Sequence, residues 1–313
     1  MTNCLISICI PAYEKPSQLQ RLLQSICLQH FTSFEVVITD DSKTNAVEDI
    51  AATFTNRLPL RYYRNTTSKG VGNNWNSCVE KASAPWIKMM HDDDWFLSPH
   101  ALGKFAAVAE QGVADFIFCG ACFVDASNKS RIDSNIGAAK NNLLLESPFS
   151  LLYFNAVGHP SVTMFKKNTA LVFDNQFRWV IDIDFYIRYL QQNDNYFFYI
   201  EEPLVNITND DNQISAGCYK NPFVEIPEYL RLLSKFFPDL QIQNKYAFYC
   251  LWELVRRFSI KQPGDLKTYA YNGAVPENFE AIISYQKKIP RIILKQTPWN
   301  RWLMKVFFKT YKF

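Results

Sequence analysis

Asp92, Asp93 and Asp94 stand together directly after the apolar run Trp86–Met90. Neighbouring carboxylates repel one another, and a folded protein keeps such a cluster at a strand end chiefly when a hard divalent cation neutralises it. In an extended segment Asp92 and Asp94 project to one side and Asp93 to the other. The cluster therefore predicts a metal site that faces phosphate. The alternative is a solvated acidic turn that leads into a helix with Ser98-Pro99 at its start.

Two further polar clusters also follow apolar strands. The run Leu5–Ile10 ends in Pro11–Glu14, and the run Phe34–Thr39 ends in Asp40–Ser42. Between them, Pro16–Phe31 carries apolar side chains at helical spacing. A strand, a helix and a second strand over this distance form a right-handed parallel crossover, and open parallel sheets bind ligands beyond the carboxyl ends of their strands. We therefore expect all three polar clusters to meet in one crevice.

These clusters need further strands and helices to hold them. The apolar pattern predicts a strand at Arg61–Arg64, a helix from Gly70 to Lys81, a helix at Pro99–Glu110, a buried strand at Phe116–Val124, a polar loop at Asp125–Asn142 and a helix after Asp182. Beyond Pro222 the pattern is mostly helical and aromatic. The sequence thus predicts an α/β fold with a mostly parallel central sheet and a helical C-terminal region.

The composition is that of an ordinary globular protein. The 313 residues are 48% hydrophobic and 20% charged, and the chain has no repeat of fixed period. The formal net charge of +3 is too small to indicate a nucleic-acid partner. Eight cysteines lie mostly among apolar neighbours, which favours reduced core thiols. Cys119 and Cys122 have the spacing of metal ligands, but no second pair completes a zinc site, and we expect a buried strand there.

The chain carries no sign of a membrane span or a secretion signal. No stretch approaches the roughly 18 consecutive apolar residues of a spanning helix. The N-terminal residues Met1–Cys4 run directly into a strand, without a charged region and an apolar signal core. We therefore expect a cytoplasmic protein.

Five segments resemble the sequence blocks of family 2 glycosyltransferases with the GT-A fold, in the same order: Ser7–Tyr13, Val36–Ser42, Gly70–Cys78, Ile87–Trp95 and Asp182–Arg188. One such block is a weak signal, whereas five in the right order are a strong one. The resemblance implies a Rossmann-like domain that binds a nucleotide sugar, expected to be a UDP-sugar, and transfers the sugar to a saccharide with inversion. It implies a catalytic domain at 1–215, with a donor half to about 100 and an acceptor half beyond it, before a helical region at 216–313.

The resemblance assigns donor-binding roles on the first two strands. Pro11, Tyr13 and Glu14 would line the pocket of the nucleobase, with backbone groups and an aromatic face. Asp41 would accept a hydrogen bond from the imide N–H of uracil. The alternative for Asp41 is a turn or helix cap, because Asp-Ser pairs often form turns.

A third donor-binding segment lies around the helix that starts near Gly70. Gly70 and Gly72 would let the backbone approach the ligand, and Asn74 offers an amide to ribose or sugar hydroxyls. A flexible turn before an Asn-capped helix is the alternative, and the nearby Asn76 is expected to be structural. Lys69 is a candidate phosphate contact or a solvated loop lysine.

The resemblance makes Asp94 the direct ligand of Mn²⁺ or Mg²⁺, with Asp92 as the second residue of the metal site. Asp92 or Asp93 would contact ribose, or the metal through water. The cation would neutralise charge on the departing nucleoside diphosphate. His91 precedes the cluster, and we interpret it as structural. Many family members also have a histidine after the last strand of the catalytic region. This chain has none there, which leaves Asn209, Asp210 and Asp211 as substitutes.

Asp182 occupies the position of the family's general base, which takes a proton from the attacking acceptor hydroxyl. Asp184 competes for this role, although helix geometry turns it about 200° away. An N-cap role is the alternative for Asp182. Many members have Glu immediately before the base, where this chain has Ile181, so a second carboxylate is not expected there.

The last 27 residues contain eight Lys or Arg and no Asp or Glu. Basic residues fall on one side of a predicted terminal helix, and Trp299, Trp302, Leu303, Val306 and Phe307 fill another. A basic helix with tryptophans at its boundary suits an anionic membrane surface. Docking on the protein body or contact with nucleic acid are the alternatives. We expect peripheral association with the inner face of the cell membrane and no nucleic-acid partner.

We expect a membrane-associated transferase that extends a lipid-linked saccharide, and the resemblance implies O-antigen or capsule assembly as its setting. A sugar-1-phosphate nucleotidyltransferase would have a glycine-rich loop after the first strand, and Pro11–Pro16 contains no glycine. A phosphatase with Asp92 as nucleophile would have its acidic motif at the first strand. A non-catalytic carbohydrate-binding relative is the remaining alternative, because the histidine and the glutamate are missing.

Overall fold

A computed structural model describes residues 4–125, 127, 129–133, 138–194, 196–209 and 217–311. Asp210 and Asp211 therefore lie outside the described residues. The chain divides into two compact units. The first comprises residues 1–148 and 156–213, and the second comprises residues 149–155 and 214–313. The second unit thus takes in a short segment that the sequence-based division at 215 leaves in the catalytic domain.

The first unit is built on one mixed sheet. Within the described residues its strands are β1 (Ile6–Ala12), β2 (Phe34–Asp40), β3 (Leu60–Arg64), β4 (Trp86–Met89), β5 (Trp95–Phe96), β6 (Phe116–Asp125), β7 (Ser130–Asp133), β8 (Thr163–Lys166) and β9 (Phe198–Asn209). Their order is β3-β2-β1-β4-β8-β6-β9-β5, and β7 pairs with β6. The pairings within β3-β2-β1-β4 are parallel, and β8 runs antiparallel to both of its neighbours.

The apolar runs of the sequence form the parallel strands of the sheet. Every residue of β1, β2 and β4 is buried, and strands covered on both faces read as continuous apolar segments rather than alternating ones. Cys119 and Cys122 are buried in β6, as predicted. The predicted α/β fold with a parallel sheet centre is confirmed, with antiparallel strands added on one side.

Helices cover this sheet: α1 (Pro16–Cys27), α2 (Ala46–Ala52), α3 (Val71–Lys81), α4 (Ala101–Gln111), α5 (Ala138–Glu146) and α7 (Ile181–Gln192). Leu19, Leu22, Leu23 and Ile26 form the buried stripe of α1. The expected long polar loop at Asp125–Asn142 is wrong in part, because β7 and the start of α5 lie within it.

The start of α4 also differs from the prediction. The helix begins at Ala101 rather than at Pro99, and Ser98 does not cap it. The carbonyl of Ser98 accepts a hydrogen bond from Gln29 Nε2 at 2.9 Å, and the carbonyl of Pro99 accepts one from the His30 N–H at 2.9 Å. These bonds tie residues 98–99 to the end of α1, so the helix starts after them.

The second unit is helical, as predicted beyond Pro222. It contains α6 (Ser150–Tyr153), α8 (Pro222–Phe236), α9 (Lys245–Phe258), α10 (Asn278–Lys287), α11 (Arg291–Lys295) and α12 (Thr297–Thr310). Asn221 and Asn244 cap α8 and α9 with their side-chain oxygens. Trp252 and Phe248 of α9 are fully buried at its centre. None of the helices described here is both long and apolar enough to cross a membrane.

Candidate active site

The three aspartates lie in a tight turn rather than an extended segment. The Asp94 N–H donates to the His91 carbonyl at 3.2 Å and closes the turn. The expected alternation, with Asp92 and Asp94 on one side, is therefore wrong. His91, Asp93 and Asp94 instead place one ligand atom each within 4.8 Å of one another. The carboxylate of Asp92 accepts a hydrogen bond from the Tyr13 N–H at 2.8 Å.

Two basic side chains hold the turn, Lys15 directly before α1 and Arg21 within it. Lys15 Nζ lies 2.6 Å from Asp93 Oδ2. Arg21 donates from the same nitrogen to the Asp93 carbonyl and to Thr208 Oγ1, both at 3.0 Å. Its guanidinium carbon lies 3.5 Å from the centre of the Trp95 ring, a cation–π contact. Sequence reasoning missed both basic residues, because neither belongs to a predicted polar cluster at a strand end.

Two hydroxyl residues from distant parts of the chain complete the turn. Ser161 Oγ accepts a hydrogen bond from the His91 N–H at 2.8 Å. The Thr208 N–H donates to Asp94 Oδ1 at 3.1 Å, and its hydroxyl donates to the Asp93 carbonyl. Sequence reasoning missed both residues. Ser161 precedes β8 and Thr208 lies near the end of β9, so only the folded sheet brings them to β4.

Burial makes the turn electrostatically unfavourable without a cation. Burial, and then the charge of Asp93, raise the pKa of Asp92 to about 7. The same two causes raise the pKa of Asp94 well above its usual range. Although burial alone would lower it, the pKa of Lys15 is raised by the charges of Asp93, Asp92 and Asp94. The turn therefore favours a positive charge beside it.

The donor set fits a divalent cation. Burial lowers the pKa of His91 to about 4, so its imidazole is neutral near pH 7 and can act as a ligand. Its Nε2 atom is buried and has no hydrogen-bond partner among the described residues. Two carboxylates and an imidazole suit Mn²⁺, and the oxygen ligands alone suit Mg²⁺. His91, interpreted from the sequence as structural, thus becomes a candidate ligand.

A buried lysine lies beneath this turn. Lys88 is fully buried in β4 and donates to the Met89 carbonyl at 2.9 Å and to the Ser161 carbonyl. Burial lowers its pKa to about 7. Its ammonium lies 5.0 Å from the centre of the Phe105 ring. Lys88 therefore fixes the backbone of Ser161, whose hydroxyl holds the turn.

Asp41 binds the segment that leads into α3. Its carboxylate accepts hydrogen bonds at 2.9 Å from Ser68 Oγ, from the N–H groups of Lys69 and Gly70, and from Asn65 Nδ2. These bonds correspond to the turn-forming interpretation of Asp41. The contact with a nucleobase remains a prediction.

The neighbouring donor-site candidates divide into buried and exposed ones. Pro11 is buried within β1, whereas Tyr13 is 43% exposed. Glu14 has a φ of 56° and accepts a hydrogen bond from the Lys43 N–H at 2.7 Å, while its own N–H donates to Ser42 Oγ at 2.8 Å. Together with the Asp92–Tyr13 bond, these contacts join the three predicted polar clusters at one edge of the sheet.

The residues around the start of α3 are mostly engaged with protein groups. Gly70, with a φ of 74°, precedes the helix. Asn74 is buried and donates to the Ala12 carbonyl at 3.3 Å. Lys69 Nζ lies 3.2 Å from Ser77 Oγ. Gly72 serves packing, because a Cβ there would lie 2.9 Å from Asn175 Cα.

Asp182 lies in the first turn of α7 and is partly exposed. Val180 is the N-cap residue, so the alternative N-cap role for Asp182 is wrong. Asp184 is fully buried and forms an ion pair with Arg188 at 2.6 Å. Ile181 Cδ1 would lie 3.0 Å from a Cβ at Gly72, so α7 begins beside α3. Asn209, a proposed substitute ligand, is exposed at the end of β9.

Open α/β sheets bind their ligands beyond the carboxyl ends of the strands, and the acidic turn and the neighbouring polar residues lie at that edge here. The sequence profile of one family, Glycosyl transferase family 2, matches residues 7–186. The match covers more than half of the chain, and the chain belongs to this family. The resemblance drawn from the five segments is confirmed.

Curated relatives are distant. The GalNAc(5)-diNAcBac-PP-undecaprenol beta-1,3-glucosyltransferase of Campylobacter jejuni is 24% identical over 166 residues, 52% of each chain. The abequosyltransferase RfbV of Salmonella typhimurium is 26% identical over 276 residues, 78% of each chain. An uncharacterized Mycobacterium tuberculosis protein, MT1568, is 29% identical over 197 residues, 59% of this chain and 61% of the relative. The chain thus spans between half and two thirds of the length of two of these relatives.

Solved structures support the fold. Residues 1–349 of Staphylococcus aureus TarS, in complex with UDP-GlcNAc, match with a TM-score of 0.62 at 15% identity, over 97% of this chain and 91% of that one. The mannosyltransferase PcManGT of Pyrobaculum calidifontis, in complex with GDP-Man and Mn²⁺, matches with a TM-score of 0.58 at 13% identity, over 98% and 85%. The predicted GT-A fold is confirmed by these matches.

Proposed function

We propose that this chain is an inverting, metal-dependent glycosyltransferase that moves a sugar from a UDP-sugar to a saccharide acceptor. The observation that carries the proposal is the buried turn of His91, Asp93 and Asp94 at the carboxyl end of β4. The hydrogen bonds of Tyr13 and Glu14 join that turn to the ends of β1 and β2. A diphosphate bound at this edge of the sheet would lie where metal, base pocket and ribose contacts can act together.

The acidic turn would hold the cation between protein and diphosphate. Asp94 and Asp93 supply carboxylate oxygens and His91 supplies a neutral nitrogen, while Asp92 supports the backbone of Tyr13 instead. Mn²⁺ or Mg²⁺ held there would neutralise the charge that develops on the departing nucleoside diphosphate. Lys15 adds a second positive charge on the same side. Asp41 orders the segment at residues 68–70, beside the expected base pocket.

Asp182 is the proposed general base. A base must reach the acceptor hydroxyl, and Asp182 is partly exposed, whereas Asp184 is fully buried and paired with Arg188. Its helix begins beside α3, which carries the donor-side residues. This arrangement favours Asp182 over Asp184.

The saccharide acceptor is proposed to be linked to a lipid. The Campylobacter jejuni relative is named for an acceptor on undecaprenol diphosphate, and we propose an acceptor of the same class here. Such an acceptor lies at a membrane surface, which agrees with action at the inner face of the cell membrane. Synthesis of a surface polysaccharide, an O-antigen or a capsule, is the proposed setting.

Calorimetry with UDP, with and without Mn²⁺, tests the metal site. We expect Mn²⁺ to increase UDP affinity in the native protein, and Asp94→Ala or His91→Ala to reduce that increase by about tenfold or more. Asp94→Ala should cost little stability, because the relief of repulsion with Asp93 offsets the loss of the hydrogen bond from the Thr208 N–H. Asp49→Ala, an exposed carboxylate of α2, is the matched control and should keep the full effect of Mn²⁺. An Asp94→Ala protein with native metal-dependent affinity would refute the assignment.

A further inference from the structure

The terminal helix α12 packs on the second unit through one face. Met304 is fully buried. Asn300 Oδ1 accepts a hydrogen bond from Trp252 Nε1 at 2.8 Å, and Asn300 Nδ2 donates to Glu253 Oε1 at 2.8 Å. The Phe307 ring stacks on Tyr285 with centroids 4.1 Å apart. The sequence-based grouping of Phe307 with Trp299 and Trp302 is therefore wrong. The face of α12 that carries Asn300, Met304 and Phe307 is docked on the protein body, which corresponds to the alternative prediction.

The opposite face leaves large apolar side chains in solvent. Trp299 and Trp302 are each 56% exposed, one helical turn apart, and their rings contact edge to face at 6.3 Å. Ile292 of the preceding helix is 70% exposed. A tryptophan side chain seldom stays in water without a partner, because its ring offers a large apolar area.

Basic residues surround these side chains. Between Lys287 and Phe313 the chain has eight Lys or Arg and no acidic residue. The exposed ones in the described residues are Lys287, Lys288, Arg291, Lys295, Arg301, Lys305 and Lys309. The face thus combines indole rings with charge of a single sign.

We propose that this face of α12, formed by Trp299 and Trp302 with Arg301 and Lys305 beside them, binds the surface of an anionic lipid bilayer together with the exposed Ile292 of α11. Tryptophan prefers the boundary between headgroups and acyl chains, and each basic side chain near an anionic surface strengthens binding by about fivefold. Protein interfaces are depleted in lysine, and an aliphatic side chain such as Ile292 has no ring on which a single-stranded base could stack. Such a contact would bring the enzyme to a lipid-linked acceptor, and only this purpose of the contact rests on the proposed function.

Co-sedimentation of the full chain with vesicles tests the proposal. The vesicles contain phosphatidylcholine alone or with about 30 mol% phosphatidylglycerol. We expect binding only to the anionic vesicles, and a loss of binding when salt rises from about 0.1 M to about 0.5 M, because the charge attraction is screened. Removal of α12 is not a suitable test, because it would uncover Trp252.

Point variants separate the two parts of the face. Trp299→Ser with Trp302→Ser, and separately Arg301→Glu with Lys305→Glu, should each weaken vesicle binding by about tenfold or more. Phe223→Ser, an aromatic residue of α8 that is 58% exposed, is the aromatic control, and Lys261→Glu with Lys267→Glu is the charge control. Both controls should bind like the native protein.

The outcomes distinguish this surface from the donor site. UDP binding measured on the same variants should be unchanged. A failure of vesicle binding would therefore leave the proposed donor site unaffected, and a failure of UDP binding in the native protein would leave the proposed membrane surface unaffected. A native protein that ignores anionic vesicles at low salt would overturn the proposal. Tryptophan variants that bind vesicles like the native protein would also overturn it. So would a native protein that does not bind vesicles but self-associates or binds DNA, if the same substitutions abolish that association.

Discussion

Burial in α7, and contacts in the acidic turn, separate aspartates that look equivalent in the sequence. In α7, Asp182 and Asp184 are two residues apart, yet Asp182 is partly exposed, whereas Asp184 is fully enclosed and forms an ion pair with Arg188. In the acidic turn, Asp92 supports the Tyr13 backbone while Asp93 and Asp94 group with His91. A carboxylate that is fully enclosed and paired with an arginine is a poor proton acceptor, because the arginine must first be displaced. Single side chains therefore divide into structural and chemical roles by their contacts.

Substitution of Asp182 and Asp184 should show this division. Asp182→Asn should lower turnover by roughly 10² to 10⁴, the usual loss for a general base, and leave UDP affinity unchanged. Asp184→Asn should reduce turnover less but destabilise the fold by about 1–3 kcal/mol, because it breaks a buried charged contact. Steady-state kinetics and urea denaturation measure the two effects. A larger turnover loss for Asp184→Asn at native stability would show that Asp184 is the base.

At the scale of elements, close packing of α3 connects the donor side with α7. Gly72 in the first turn of α3 lies against the backbone of Asn175 and beside Ile181. Asn76, one turn further on, donates to the Phe173 carbonyl at 2.8 Å and accepts from the Phe173 N–H at 2.7 Å. The helix that carries Asn74 is thus fixed to the segment that leads into Asp182.

Two glycine substitutions test this packing. Alanine is about 1 kcal/mol better than glycine in a helix interior, so a glycine without a steric role should gain stability on replacement. Gly103→Ala in α4 is that control, because the nearest atom to a Cβ there lies at 3.8 Å. Gly72→Ala should instead lose about 1–3 kcal/mol, because its Cβ would meet the Asn175 backbone at 2.9 Å. Urea midpoints measure both, and stabilisation by both would contradict the packing.

At the scale of the whole molecule, the chain enters the helical unit twice. Residues 149–155 belong to it, although they lie between two parts of the sheet unit. The Phe149 ring contacts Phe236 and Phe237 at 5.5 and 5.1 Å, and the Tyr153 ring contacts Tyr249 at 5.3 Å. A division of the chain near residue 214 therefore separates aromatic side chains from their partners.

A chain shortened to residues 1–213 should aggregate, because Phe149 and Tyr153 lose the aromatic side chains that cover them. Size-exclusion chromatography measures the monomer fraction. Replacing both residues by serine in the shortened chain should raise that fraction several-fold. A monomeric, soluble 1–213 chain without these substitutions would contradict the role of this segment.

The sequence predicted the parallel strands and the helical C-terminal region because both leave local patterns of apolar residues. It also predicted that polar clusters meet at the ends of β1, β2 and β4, since parallel strands share an edge. The turn at Asp92 and Asp93 could not be predicted, because hydrogen bonds with Ser161 and Thr208 hold it. The burial of Asp184 and the inward direction of Phe307 likewise depend on packing that no local pattern encodes.

The contacts of the acidic turn have a consequence for folding. The His91–Ser161 bond spans 70 residues of sequence, the Asp94–Thr208 bond spans 114, and the Arg21–Thr208 bond spans 187. Contacts of such separation form late, because the intervening chain must first become ordered. The strands β1 to β4 can assemble from local crossovers before β8 and β9 arrive. The aspartates would then be present on a half-formed sheet before Ser161 and Thr208 reach the turn, and the turn would reach its final shape only when the last strand pairs.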